Sequence, residues 1–113
     1  MLITGNTHVH LATQPTSLLK AIDGLCAEIE RRFGDDPMTG HVFVFINRTQ
    51  TGLKLLYWDH GGFILTYKRL ERGRFSVPVA RGDRVELTAA QLAALLEGID
   101  LSRARKIPAW NPK

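Results

Sequence analysis

Between His41 and Arg69 lie three runs that favour extended backbone, His41–Asn47, Leu53–Trp58 and Phe63–Arg69, joined only by the short links 48–52 and 59–62. Each run is rich in β-branched, aromatic or leucine side chains, and Asp59-His60-Gly61-Gly62 supplies turn chemistry. Links this short cannot carry a crossover, so neighbouring runs pair antiparallel as a meander. Val42-Phe43-Val44-Phe45-Ile46 is apolar at every position, the pattern of a strand covered on both faces and therefore central in its sheet. His8–Thr13 reads as a further strand with no readable place in the order.

Two helices accompany the strands. From about Thr16 to Phe33, the residues Leu18, Leu19, Ile22, Leu25, Cys26, Ile29 and Phe33 recur at three- and four-residue steps and define one buried stripe. Thr16 or Ser17 can cap its start, and Gly34 suits the left-handed position after its end. Glu28, Glu30, Arg31 and Arg32 fall off the stripe and read as its solvated side. Near the end of the chain, Thr88 and Gln91 have the spacing of a capping box, Leu87 and Leu92 that of the matching staple, and Gly98 closes the helix. The expected fold is a small single α+β domain over residues 1–100: an antiparallel meander of three to four strands with two helices packed on it. Residues 101–113 hold four cations, no acid and two prolines, which suits a flexible basic tail.

With 113 residues the chain is one domain by length, and its longest unbroken apolar run is far too short to cross a membrane. Its start carries neither a cationic opening nor a long apolar core, so no secretory signal is read and a cytoplasmic setting is expected. The single cysteine, Cys26, offers neither an internal disulfide nor a cysteine-rich metal site. The net charge of +4 is unevenly spread. Through Tyr67 there are five Lys/Arg against six Asp/Glu; from Lys68 onward there are ten against five. A basic half without an amphipathic basic helix points to polyanions, nucleic acid before membrane.

The candidate constellations are few. His8 and His10 alternate along a strand, so their imidazoles share a face, as two ligands of a metal-dependent nuclease would. No third ligand is evident, and both tyrosines lie in strands rather than on a helix. Asp59 and His60 are neighbours in a turn whose side chains are expected to diverge. Cys26 belongs to an apolar stripe. No complete active site, metal site or cofactor site emerges. The basic segment Lys68-Arg69-Leu70-Glu71-Arg72-Gly73-Arg74-Phe75 is more informative. Leu70 and Phe75 can anchor it, Glu71 offers one ion pair, and Gly73 permits a sharp turn between two arginines. Arg81 and Arg84 follow on the adjoining loop. Guanidinium forks suit phosphate oxygens, so Lys68, Arg69, Arg72, Arg74, Arg81 and Arg84 are the candidate DNA contacts, with Arg103, Arg105 and Lys106 as an auxiliary basic tail.

The segments HVFVFINR (41–48), LKLLYWDHGGF (53–63), YKRLERGRF (67–75) and LTAAQLAALLEGID (87–100) resemble the TnpB accessory family of insertion sequence family sixty-six, the product of that element's second reading frame. The resemblance implies a bacterial mobile-element protein needed for transposition, with the element's transposase and a companion accessory protein as partners. It assigns no catalytic residue and no cofactor. Two departures stand out. Ser17-Leu18-Leu19 replaces the family's aspartate-methionine-arginine opening of the first helix, and the hairpin Arg48–Gly52 carries fewer basic residues than is usual. The resulting expectation is a non-catalytic accessory factor that grips DNA through the basic segment, or alternatively an adaptor that docks on the transposase without touching DNA.

Overall fold

The computed structural model describes residues 4–98. The meander forms as its short links require: β2 (Val42–Ile46), β3 (Gly52–Asp59) and β4 (Gly62–Arg69) pair antiparallel in sequence order. Ahead of them, β1 (Val9–Ala12) lies parallel to β2, and β5 (Arg84–Leu87) closes the other side antiparallel to β1. The sheet order is β4-β3-β2-β1-β5, so the uniformly apolar β2 is the middle strand. The fold is α+β, with one strand more than the meander and first strand supply, and a mixed sheet rather than a purely antiparallel one. Arg84-Val85-Glu86-Leu87 escapes notice in the sequence because four alternating residues beside a charged loop give too little periodicity.

Both faces of the sheet are covered. Val9, Leu11, Val42, Val44, Ile46, Leu53, Leu55 and Tyr57 point to one side, where Phe75, Leu87 and α2 (Ala89–Leu96) pack on them through Leu92 and Leu95. Ala12, Phe43, Phe45 and Leu56 point to the other, under Leu25 and Ile29 of the first helix. The capping box is complete: the Gln91 N–H donates to Thr88 Oγ1 at 3.0 Å, and the Thr88 N–H donates to Gln91 Oε1 at 2.9 Å. Leu87 and Leu92 are both buried beside it.

The first helix is shorter than its stripe suggests. Regular α-helix, α1, runs only over Ile22–Glu28, and the chain continues as one π-helical turn, Ile29–Phe33, ended by Gly34 at φ 65°. The expected caps are occupied elsewhere. Thr16 is buried, its N–H bonded to the Ile46 carbonyl and its hydroxyl accepting from Arg32 Nη1 at 3.0 Å. Ser17 Oγ accepts from the Leu19 N–H two residues on, which makes a turn rather than a helix start. Leu19, placed on the buried stripe by spacing, is therefore 97% exposed.

Glu28 is the second correction. It is buried, and its carboxylate accepts from Arg31 Nη2 at 2.7 and 2.8 Å and lies 2.8 Å from Arg32 Nε. The hydrogen bond from Arg31 leads the causes that hold this carboxyl below its ordinary range.

Candidate nucleic-acid interface

Strand direction gathers three loops at one end of the sheet. The ends of β1, β2 and β4 and the starts of β3 and β5 all lie there, as the pairings Ala12↔Arg84, Ile46↔Leu53 and Gly52↔Arg69 require. The segments 13–21, 47–51 and 70–83 are therefore neighbours. Backbone bonds strap them together: the Leu70 N–H donates to the Thr51 carbonyl at 2.8 Å and the Phe75 N–H to the Gln50 carbonyl at 2.7 Å. At the far end of the loop, Thr13 donates through its N–H to the Asp83 carbonyl and through its hydroxyl to the Gly82 carbonyl.

The basic segment is built as its residue types demand. Phe75 is fully buried, Leu70 is half-buried against the same core, and Gly73 takes φ 73°, a left-handed turn that displays Arg72 and Arg74 at the surface. Its cations nevertheless differ in what they touch. Lys68 Nζ donates to the Leu96 carbonyl, placing a positive charge at the C-terminus of α2 where the helix dipole favours it. Arg69 Nε donates to Glu71 Oε2 at 3.0 Å. Arg84 is not on the loop at all: it sits on β5, ion-paired with Asp35, its guanidinium 5.3 Å from the Phe33 ring centre. Arg72, Arg74 and Arg81 are exposed and, among the described residues, make no side-chain hydrogen bond or ion pair.

Arg48 joins them. This residue of the β2–β3 link is exposed and borders a groove of about 400 Å³ lined by Pro15, Thr16, Ser17, Leu18, Asn47, Arg48 and Thr49. Ser17 and Leu18, ahead of the first helix, and Arg48 and Thr49 of the first hairpin thus face one another across this groove. Sequence reading missed Arg48 as a partner of 68–75 because the strap between Gln50 and Phe75 spans residues that no local pattern connects. Arg103, Arg105 and Lys106 lie outside the described residues.

The histidines gather at the opposite end. His10 is buried, its Nε2 3.0 Å from His41 Nδ1 and its ring stacked on Phe43 at 5.1 Å. His8 Nδ1 lies 2.6 Å from Glu86 Oε1, and its ring is 4.7 Å from that of His41. Burial, followed by the charge of Arg84, pushes the His10 imidazole below its ordinary value. Among the described residues no group of three or more His, Cys, Asp or Glu side chains is placed to hold a metal ion. Asp59 and His60 do meet, contrary to expectation: His60 Nδ1 lies 2.7 Å from Asp59 Oδ1, in a turn whose two central residues both have positive φ. The pair projects from a hairpin tip into solvent. Trp58 is half-buried edge-on against Phe63, 5.0 Å between centres, while Tyr57 enters the core. Burial raises the Cys26 thiol pKa, so that side chain is a thiol rather than a thiolate at neutral pH.

The structure is thus a small α+β domain whose exposed arginines Arg48, Arg72, Arg74 and Arg81 lie at one end of its sheet. Residues 7–106 match the family described as IS66 Orf2 like protein, and the chain belongs to that family. It is similar to two proteins of Sinorhizobium fredii (strain NBRC 101917 / NGR234). One, uncharacterized protein y4hO, is 35% identical over 107 residues, which is 95% of this chain and 91% of the relative. The other, uncharacterized protein y4jC, is 31% identical over 104 residues, 92% of this chain and 89% of the relative. No solved structure matches. Family membership associates the chain with insertion-sequence transposition in an accessory role. Among the described residues no helix is long and apolar enough to cross a membrane.

Proposed function

We infer that this protein is an accessory factor for transposition that contacts the phosphate backbone of DNA through Arg48, Arg72, Arg74 and Arg81, with Lys68 and Arg69 at the margin. One observation carries the reading: these four arginines share one end of the sheet and, among the described residues, have no carboxylate partner, whereas Arg31, Arg32 and Arg84 are all ion-paired. Unpaired guanidinium groups on strapped loops lose little by meeting phosphates and gain from counterion release. Contacts of this kind position DNA and carry little sequence information. Arg84 leaves the contact set because Asp35 already neutralises it.

Fluorescence anisotropy against a terminal-repeat duplex and a scrambled duplex, over a salt series, tests this. Four neutralised phosphates give a slope of log K on log salt near about −3.6 for both duplexes, and Arg72→Glu/Arg74→Glu flattens it by about two units. Absence of binding at low salt removes the reading. The adaptor alternative has its own support: Leu19 and Val79 are fully exposed apolar side chains in the segments beside these arginines, available as anchors for a protein partner. Leu70 and Phe75, which anchor the basic segment, are packed on the core and so do not serve a partner. Loss of transposase pull-down by Arg72→Glu/Arg74→Glu in nuclease-treated extract favours the adaptor.

A further inference from the structure

The two edges of the sheet differ. β5 is four residues long, and its charged side chains are occupied, Arg84 by Asp35 and Glu86 by His8. β4 is eight residues long, lacks proline and runs in unbroken register with β3 from Gly52↔Arg69 to Asp59↔Gly62. Exposed edges of that length are ordinarily guarded by lysines, prolines or bulges. Here Lys68 is turned onto the end of α2 and Arg69 onto Glu71, both at the last turn of the strand. Ile64 and Tyr67 lie on it 39% and 54% exposed.

The phase of the edge follows from the hairpin. His60 and Gly61 have φ 41° and 86°, the two-residue type I′ turn, whose flanking pair Asp59 and Gly62 exchanges both hydrogen bonds. Alternation then directs the N–H and C=O groups of Gly62, Ile64, Thr66 and Lys68 toward β3, and the Leu70 N–H bond to Thr51 continues that phase. Those of Phe63, Leu65 and Tyr67 face outward with no partner strand among the described residues.

We propose that a second copy of this chain covers this edge, β4 pairing antiparallel with β4 about a two-fold axis at Leu65. The strand is complementary to itself in that register. Leu65 meets Leu65, Phe63 meets Tyr67 on the α1 side twice, and Ile64 meets Thr66 on the α2 side, pairings that suit cross-strand neighbours. Charge agrees: Lys68 and Arg69 fall opposite the partner's Gly62 and Gly61, so no cation faces a cation, whereas parallel pairing would bring the cations of the two copies together. The interface is isologous and closed, which ends assembly at two copies. It joins two five-stranded sheets into one of ten and sets the two 70–83 loops at opposite ends of the joint. It does not rest on the DNA reading and stands or fails separately from it.

Sedimentation equilibrium of the full chain over a concentration series, with amide hydrogen exchange followed by NMR, tests it. The expected result is twice the chain mass at high concentration, with the Phe63, Leu65 and Tyr67 amides slowing as the dimer forms. Tyr67→Pro removes an outward N–H without touching the β3 ladder and weakens dimerisation at least tenfold. Should that variant fail to fold, Thr66→Lys, on an exposed side chain that meets Ile64 of the other copy, gives the same loss. A single-chain mass at every concentration overturns the proposal, whether or not those amides are protected. So does a dimer that survives both substitutions with the Phe63 and Leu65 amides exchanging freely.

Discussion

The arginines of this chain fall into two groups with opposite fates. Arg31, Arg32 and Arg84 lie on the α1 side of the sheet, where Glu28 and Asp35 meet them within the fold. Arg48, Arg72, Arg74 and Arg81 lie at the loop end, where Glu71 is taken by Arg69. A residue count treats the two groups alike, yet among the described residues only the second presents unspent charge. Contact with a polyanion depends on carboxylate supply within reach, and that is a property of packing.

The largest effect separating the groups is expected at Glu28. Removing a buried carboxylate that serves two arginines leaves Arg32 mostly buried and unpaired, so Glu28→Ala should cost about 3 kcal/mol in urea unfolding. DNA affinity of the folded fraction should be unchanged. Arg84→Ala comes next. It strips the partner from Asp35 and the cation from the Phe33 ring, and a loss of about 1–2 kcal/mol with an unaltered salt slope is expected. A slope flattened by this substitution would move Arg84 into the second group. Thr88→Ala, which breaks the capping box away from both groups, calibrates the scale at about 1 kcal/mol. Arg72→Glu/Arg74→Glu completes the order, with a thermal midpoint within about 2 °C of the parent while the salt dependence of binding changes most.

Acid should act on the paired side in two stages. His10 is held below its ordinary value of 6.5, chiefly by burial and then by Arg84 and His41, so the unfolded chain takes up its proton first. Its contribution is complete above pH 6.5 and falls away as the pH drops from there. Glu28, held below its ordinary 4.5 mainly by the Arg31 hydrogen bond, contributes fully above that value and is lost as the pH falls through its lowered folded value. Unfolding free energy measured from pH 8 to 3 should therefore decline first near 6.5 and again below 4.5. His10→Phe should abolish the first decline and leave the second.

Much of this was legible beforehand. The short links between three apolar runs dictated the meander, the all-apolar run named the central strand, and the Thr88 capping box located α2, because each rests on contacts within a few residues. Leu70, Gly73 and Phe75 likewise announced how the basic segment would be held. The start of α1 was not legible. Thr16 has the right chemistry for a cap, but a guanidinium sixteen residues away takes its hydroxyl.

Sequence by itself therefore determined the class of fold, the family and the half of the chain that carries excess positive charge, since composition, periodicity and local turn chemistry suffice for these. Only the tertiary structure decided that β5 joins the sheet, that β4 is its open edge, that Glu28 is buried and Arg84 already paired, and that Arg48 lies at the same end of the sheet as Arg72 and Arg74. Each of those depends on pairs far apart along the chain, whose meeting follows from strand order and not from any pattern nearby.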